Sequence, residues 1–347
     1  MRRGPGSAIG ARTVSYAMRC PRLNELPAPP PGRAGWPWTI ESSSLPDRMP
    51  DGTAWPRISI VVASLNHAAY VEEMVRSVLL QGYPDLELIV VDGGSNPRTL
   101  AAIAPYQQWM AYFVSEADRG QSHALNKGMA RATGALINHL DTDDYLLPGC
   151  LEAVAHAWSE HPETIIAGDV VRTSEGSSRV DVHRPLPHDL HAYAQWWDTE
   201  HHGGPGMFFP AKYVAAVGPV NESLHYLMDY EYTLRFLAVT TLTPVRRELA
   251  VIRHHPACKS SRDGDEFVWE CVQIVRPYQQ QFPDIDARAD REGAGVLFGF
   301  GVRRMIFGQG GAWRFIKEGL RIHPFWAVYW QIPGWFVRKW SRLRSLS

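Results

Sequence analysis

The chain has 347 residues, of which 45% are hydrophobic and 20% charged, with a formal net charge of −1. That length buries a sizeable core in one large domain or two smaller ones, and a near-neutral balance gives no electrostatic basis for a nucleic-acid partner. Cys20, Cys150, Cys258 and Cys271 stand far apart without a CxxC, which argues for free thiols in a reducing cytoplasm and against a disulfide framework or zinc site. No apolar run reaches the ~18 residues of a transmembrane helix. The opening MRRGPGSAIGARTVSY has arginines but lacks the continuous apolar stretch of a secretory signal.

Residues 1–56 differ from the rest. Nine prolines fall between Pro21 and Pro56 and no apolar periodicity survives, which predicts a disordered or loosely attached extension. Met18 and Met49 serve equally well as starts of translation. From Ile58, ISIVVA is a short continuous apolar run, the pattern of a strand buried on both faces. Tyr70, Val71, Met74, Val75, Val78 and Leu79 then recur at helical spacing. LELIVV (86–91) predicts a second strand, a helix spans about 99–109, and AYFVSE (111–116) predicts a third strand. SHALNKGMARATG predicts a helix with Gly134 as its stop signal, ALINHL a fourth strand, and a further helix starts near Pro148. Strands alternating with helices mean an α/β fold with a mostly parallel sheet, whose ligands bind at the carboxyl ends of strands. Residues 57–285 are expected to form that domain, with 286–347 as a helical C-terminal region.

HLDTDDYLLPG (139–149) crowds Asp141, Asp143 and Asp144 at one such strand end. Neighbouring carboxylates repel, so the cluster needs a cation, several donors or water. Oxygen-only ligands suit Mg²⁺ or Mn²⁺. Helix capping is the competing reading, with Asp144 the natural cap and Asp141 and Asp143 left for the ion. Asp92 ends the second strand in IVVDGGS, where glycines allow close approach of a ligand to the backbone; taken alone, it reads first as an ordinary turn aspartate. GGSNP does not fit a dinucleotide fingerprint.

ISIVVASLN, ELIVVDGGS, SEADRGQSHALNKGMARATG and LDTDD, in this order and spacing, resemble the family 2 glycosyltransferases of GT-A fold, nearest in flavour to the bacterial polysaccharide-assembly branch. The resemblance is close from Ile58 to Asp144 and weaker to about Glu270. It implies an inverting, metal-dependent hexosyltransferase that takes a nucleoside diphosphate sugar, a UDP-sugar first, and extends a glycan or polyprenyl-linked acceptor at the inner face of the membrane. It implies Ser64 and Asn66 in the nucleoside pocket, Asp92 on the base, Arg119 and Lys127 near the nucleotide, and Asp141 and Asp143 on the metal and diphosphate. His123 stands where relatives often carry an acid, and Pro97 replaces a common turn aspartate. LMDYEYTLRF matches the segment of the family's catalytic base, with Asp229 at the key position and Glu231 in support. An acceptor hydroxyl has a very high pKa, so a carboxylate must take its proton as the bond forms. In RHHPACKSS (253–261), His255 and Lys259 fit a loop that closes over the diphosphate; a structural histidine is the alternative.

After Glu318 the sequence has no acid but carries Trp326, Trp330, Trp335 and Trp340 among arginines and lysines. That composition suits a membrane interface, or a tail folded on the domain. Two other functions fit less: a non-catalytic sugar-nucleotide-binding protein, and a haloacid dehalogenase-type phosphatase. The latter carries its DxD after the first strand, whereas here the cluster follows the fourth.

Overall fold

The computed structural model describes residues 19–174, 180–185, 189–195, 204–256, 258–259 and 264–323. These divide into two compact units, one made of residues up to 185 with 204–223 and 239–254, the other of 189–195, 224–238 and 255–323. The body expected over 57–285 is therefore shared between two units. The tryptophan-rich tail lies outside the described residues.

The first unit is built on one nine-stranded sheet. In chain order it contains β1 (Ile58–Ser64), α1 (Val71–Leu79), β2 (Leu86–Asp92), α2 (Pro97–Ile103), β3 (Tyr112–Ser115), α3 (Gln121–Met129), β4 (Leu136–Asp141), β5 (Tyr145–Leu146), α4 (Cys150–Glu160), β6 (Ile165–Ser174) and β7 (Val180–His183). After α5 (Leu190–Tyr193), which belongs to the second unit, come β8 (Met207–Pro210), α6 (Val214–Val217) and β9 (Leu242–His254). The order across the sheet is β3-β2-β1-β4-β8-β6-β9-β5, with β7 on β6. The four strands β3, β2, β1 and β4 are mutually parallel, as the alternation of strands and helices requires. Beyond them β8 runs antiparallel to both β4 and β6, and β6 is parallel to β9. The predicted α/β sheet is present, and its far half is mixed.

Ile58, Ile60, Val62, Leu88, Val90, Leu136 and Leu140 are all buried in one core with Met74, Val75 and Val78 of α1. Full burial of each such side chain contributes about 1.5–3 kcal/mol. Gly134 does not end α3, which stops at Met129; a Cβ there would meet the Ser59 side chain and backbone at 2.6 and 2.7 Å and the Arg57 carbonyl at 2.8 Å, so the glycine permits close contact with β1 and the residues that lead into it. Asp144 caps no helix either: Gly149 precedes α4.

The proline-rich stretch corrects its expectation. Over residues 19–56 it is fastened to the first unit, with Cys20, Leu26, Trp38, Met49 and Trp55 buried. The physical reason is Arg76 of α1, fully buried, whose guanidinium donates to the carbonyls of Pro27 (2.8 Å), Pro37 (3.1 Å) and Trp38 (3.1 Å). The Ser42 and Leu45 N–H groups donate to Leu80 and Gly82 carbonyls at the end of α1. Few N–H donors are left in a proline-rich strand, so its exposed carbonyls recruit donors from the body.

The second unit holds α5, α7 (Met228–Leu237), α8 (Gly264–Gln279), α9 (Pro283–Ile306) and α10 (Ala312–Ile322). Val272, Ala294, Leu297, Phe315 and Ile322 form its core, with Trp269, Phe298 and Phe300 packed against them. Among the described residues no helix is long and apolar enough to cross a membrane.

Candidate active site

Strand register assembles a polar rim from residues far apart in sequence. Ser64 lies beside Asp92 across β1 and β2, Asp92 beside Ser115 across β2 and β3, and Ala63 beside Asp141 across β1 and β4. All are at the carboxyl ends of parallel strands, where open α/β sheets place their ligands.

At the end of β4, Asp141 is exposed, Asp143 half-buried and Asp144 buried. One oxygen from each lies within 4.8 Å of the others. Burial, and then the charges of Asp143 and Asp141, push the Asp144 carboxyl well above the ordinary carboxylate range. Two opposing contacts hold the group together. Asp144 accepts the Arg253 backbone N–H at 3.0 Å, and the Arg253 side chain donates to the Asp143 carbonyl and to Glu73. The same guanidinium lies over the rings of Tyr70 and Tyr145, 4.8 and 5.1 Å from their centroids. Gln121, at the start of α3, donates to Asp141 at 2.6 Å. Three carboxylates this close, all offering oxygen, fit a hard divalent cation.

Asp92 is fully buried, and its carboxylate accepts from the Ser95 N–H (2.8 Å), Ser95 Oγ (2.5 Å), Ser115 Oγ (2.7 Å) and Gly94 N–H (3.2 Å). It organises the loop after β2. At Gly93 the close approach is made by the Asp118 carboxylate, 2.6 Å from where a Cβ would sit. Asn66 adopts φ 59°, an uncommon left-handed conformation, and its side-chain oxygen accepts from Asn96 N–H and Nδ2. Ser64 is buried, and its hydroxyl has no hydrogen-bond partner among the described residues. Arg119 pairs with Glu222 at 2.7 Å and Lys127 with Glu116 at 2.7 Å, and each pairing lowers the carboxyl's pKa.

The remaining expected residues belong to the second unit. Asp229 lies inside α7, which begins at Met228, so both it and Glu231 stand in the helix's first turn. Its carboxylate accepts the Tyr230 N–H at 2.8 Å, and burial raises its pKa. Glu231 makes a two-pronged ion pair with Arg235, both contacts 2.8 Å. His255 is buried and its N–H donates to Cys258 Sγ, while Lys259 donates to the His225 carbonyl at 3.4 Å. Sequence reasoning missed Gln121, Arg253, Glu116, Glu222 and Glu270. Gln121 and Glu116 stood inside the SEADRGQ motif; Arg253 and Glu270 act across separations that no local pattern records.

The sequence profile of glycosyl transferase family 2 matches residues 59–216, from β1 through the carboxylate rim to α6. That stretch, a little under half of the chain, is similar to the family 2 glycosyl transferases. Relatives of the chain include an uncharacterized glycosyltransferase of Nostoc sp., 31% identical over 105 residues, which spans 29% of this chain and 33% of that protein. An uncharacterized glycosyltransferase of Mycobacterium tuberculosis is 28% identical over 197 residues, covering 56% and 74%. A PGL/p-HBAD biosynthesis glycosyltransferase of Mycobacterium bovis is 29% identical over 195 residues, covering 52% and 70%. The crystal structure of S. aureus TarS 1-349 in complex with UDP-GlcNAc matches with TM-score 0.55 at 17% identity, covering 70% of this chain and 73% of that one. That likeness is one of fold, and it agrees with the GT-A architecture.

Proposed function

We propose that the chain is an inverting hexosyltransferase that moves a sugar from a UDP-sugar to a hydroxyl of a glycan or lipid-linked acceptor in cell-surface polysaccharide synthesis. The observation that carries this reading is the rim of Asp141, Asp143 and Asp144 at the end of β4 inside the stretch similar to family 2. TarS has been crystallised with UDP-GlcNAc, and the Mycobacterium bovis relative is named for PGL/p-HBAD biosynthesis; both support a nucleotide sugar and a surface glycoconjugate.

Asp141 and Asp143 would hold Mg²⁺ or Mn²⁺, which supplies positive charge against the leaving diphosphate. Gln121 orients Asp141, and Arg253 fixes the backbone of Asp143 and the carboxylate of Asp144. Asp92 holds the loop that bounds the nucleoside side of the rim. Arg119 and Lys127, with His255 and Lys259, serve the nucleotide. Asp229 takes the acceptor's proton; its burial-raised pKa suits a general base.

Mn²⁺ together with UDP should raise the melting temperature of the native chain, and Asp143→Ala should lose that increment while melting normally without ligand. Undiminished stabilisation in the variant, or turnover in excess chelator, overturns the metal assignment.

A further inference from the structure

The turn between α9 and α10 leaves large apolar side chains in solvent. Met305, Ile306, Phe307 and Trp313 are 52, 72, 63 and 63% exposed, although the same two helices bury Ala294, Leu297, Phe315 and Ile322 together. This is not a frayed end. The Gln309 N–H donates to the Arg304 carbonyl at 2.8 Å, and Arg304 Nε donates to the Gly310 carbonyl at 2.7 Å. Gly308 and Gly311 take φ of 64° and 80°, turning the chain sharply from one helix into the next. The connectivity places Ile306 and Phe307 at the end of α9 and Trp313 in the first turn of α10, at the same end of the helical hairpin.

Single exposed apolar residues are ordinary, whereas a contiguous group marks an interaction surface. The charge around it identifies the partner. Between Glu292 and Glu318 the sequence carries Arg303, Arg304, Arg314 and Lys317 and no acidic residue. An exposed aromatic and aliphatic turn on a stretch whose charged residues are all basic, Arg314 and Lys317 among them exposed, complements an anionic lipid surface: the apolar side chains enter the headgroup region and the net positive charge attracts phosphates.

We propose that the α9–α10 turn docks the protein on an anionic bilayer by inserting Ile306, Phe307 and Trp313. The turn precedes the tryptophan-rich tail in sequence, and the proposal does not depend on the catalytic reading.

The test is cosedimentation of the full chain with phosphatidylcholine vesicles, with and without phosphatidylglycerol. The native chain should bind the anionic vesicles and bind the neutral ones far less. Ile306→Ser/Phe307→Ser/Trp313→Ser should lower partitioning by about tenfold or more. Ile306→Glu, a single change at the most exposed position, should also weaken binding, and Arg303→Gln/Lys317→Gln should weaken it mainly at low salt. Stabilisation by UDP and Mn²⁺ should be unchanged in all three, which separates failure of this proposal from failure of the glycosyltransferase reading. Native-like vesicle binding by the triple variant and by Ile306→Glu overturns the proposal. So does a native chain that ignores anionic vesicles, or a concentration-dependent dimer that the triple variant abolishes.

Discussion

Asp229 and Glu231 are two residues apart on α7, a spacing that does not put side chains on one helical face. Their environments separate them further. Glu231 is tied to Arg235, with side chains 13 and 22% exposed, whereas Asp229 is held only at the helix start and its pKa is raised by burial. Asp229→Asn should lower kcat by ~10²–10⁴ while the Kd for UDP stays constant; Glu231→Gln should cost far less rate and about 1 kcal/mol of stability from the lost pair. The base must be ionised to act, so kcat/KM should rise with pH along an acid limb displaced above the ordinary aspartate value of 3.8. The stability effect has the opposite sense. A carboxyl with raised folded pKa stabilises the fold below its unfolded pKa and loses that contribution as pH rises through the folded pKa. Asp229→Asn should therefore melt with the native chain in acid and above it at neutral pH, as a pH series of thermal melts would show.

At the scale of elements, α7 is held by a carboxylate from another helix. Glu270 of α8 accepts the backbone N–H groups of His225 (2.6 Å), Tyr226 (2.7 Å) and Leu227 (2.7 Å). Those are the donors leading into the N-terminus of α7, where a negative charge also meets the favourable end of the helix dipole. Glu270→Ala strands three N–H groups and should destabilise the protein by about 2–3 kcal/mol, measured by denaturant titration; Glu270→Gln should recover part. Arg253 on β9 does the corresponding work in the first unit, linking the β4 rim to Glu73 of α1. Its replacement by Met leaves Asp144 without its compensating cation and Glu73 without a partner. We expect a loss of about 2–4 kcal/mol and a weakened Mn²⁺ response in the UDP thermal-shift assay.

For the whole molecule, the segment over residues 19–56 is part of the folded first unit. It covers Arg76, whose buried charge would otherwise face no carbonyl. Deleting the segment exchanges these bonds for bonds to water and uncovers the core surface that Cys20 and Leu26 pack against, at about 1.5–3 kcal/mol for each large apolar side chain no longer buried. A chain begun at Met49 loses Trp38 and the three carbonyls and should melt far below the full chain. Equal melting of the two, followed by circular dichroism, would show that the segment is dispensable.

The amino-acid sequence alone determined the strands and helices of the first half and the location of the carboxylate rim. Both are local: a continuous apolar run makes a buried strand, and the polar residues that follow it must stand at the strand's end. The family motifs fall in this same region. Tertiary structure decided the partners. Asp144 reads in sequence as a helix cap, yet it takes an N–H from Arg253, 109 residues away. Asp92 reads in sequence as a ligand-facing acid or a turn aspartate, and the fold supplies it with donors from Gly94, Ser95 and Ser115. The proline-rich segment reads as loose because extended chain carries no periodicity; its order comes from one arginine on α1 that satisfies its carbonyls. Period and composition register what a residue needs from its immediate neighbours, and a hydrogen bond or ion pair closed across a hundred residues leaves no trace in either until the fold brings its two ends together.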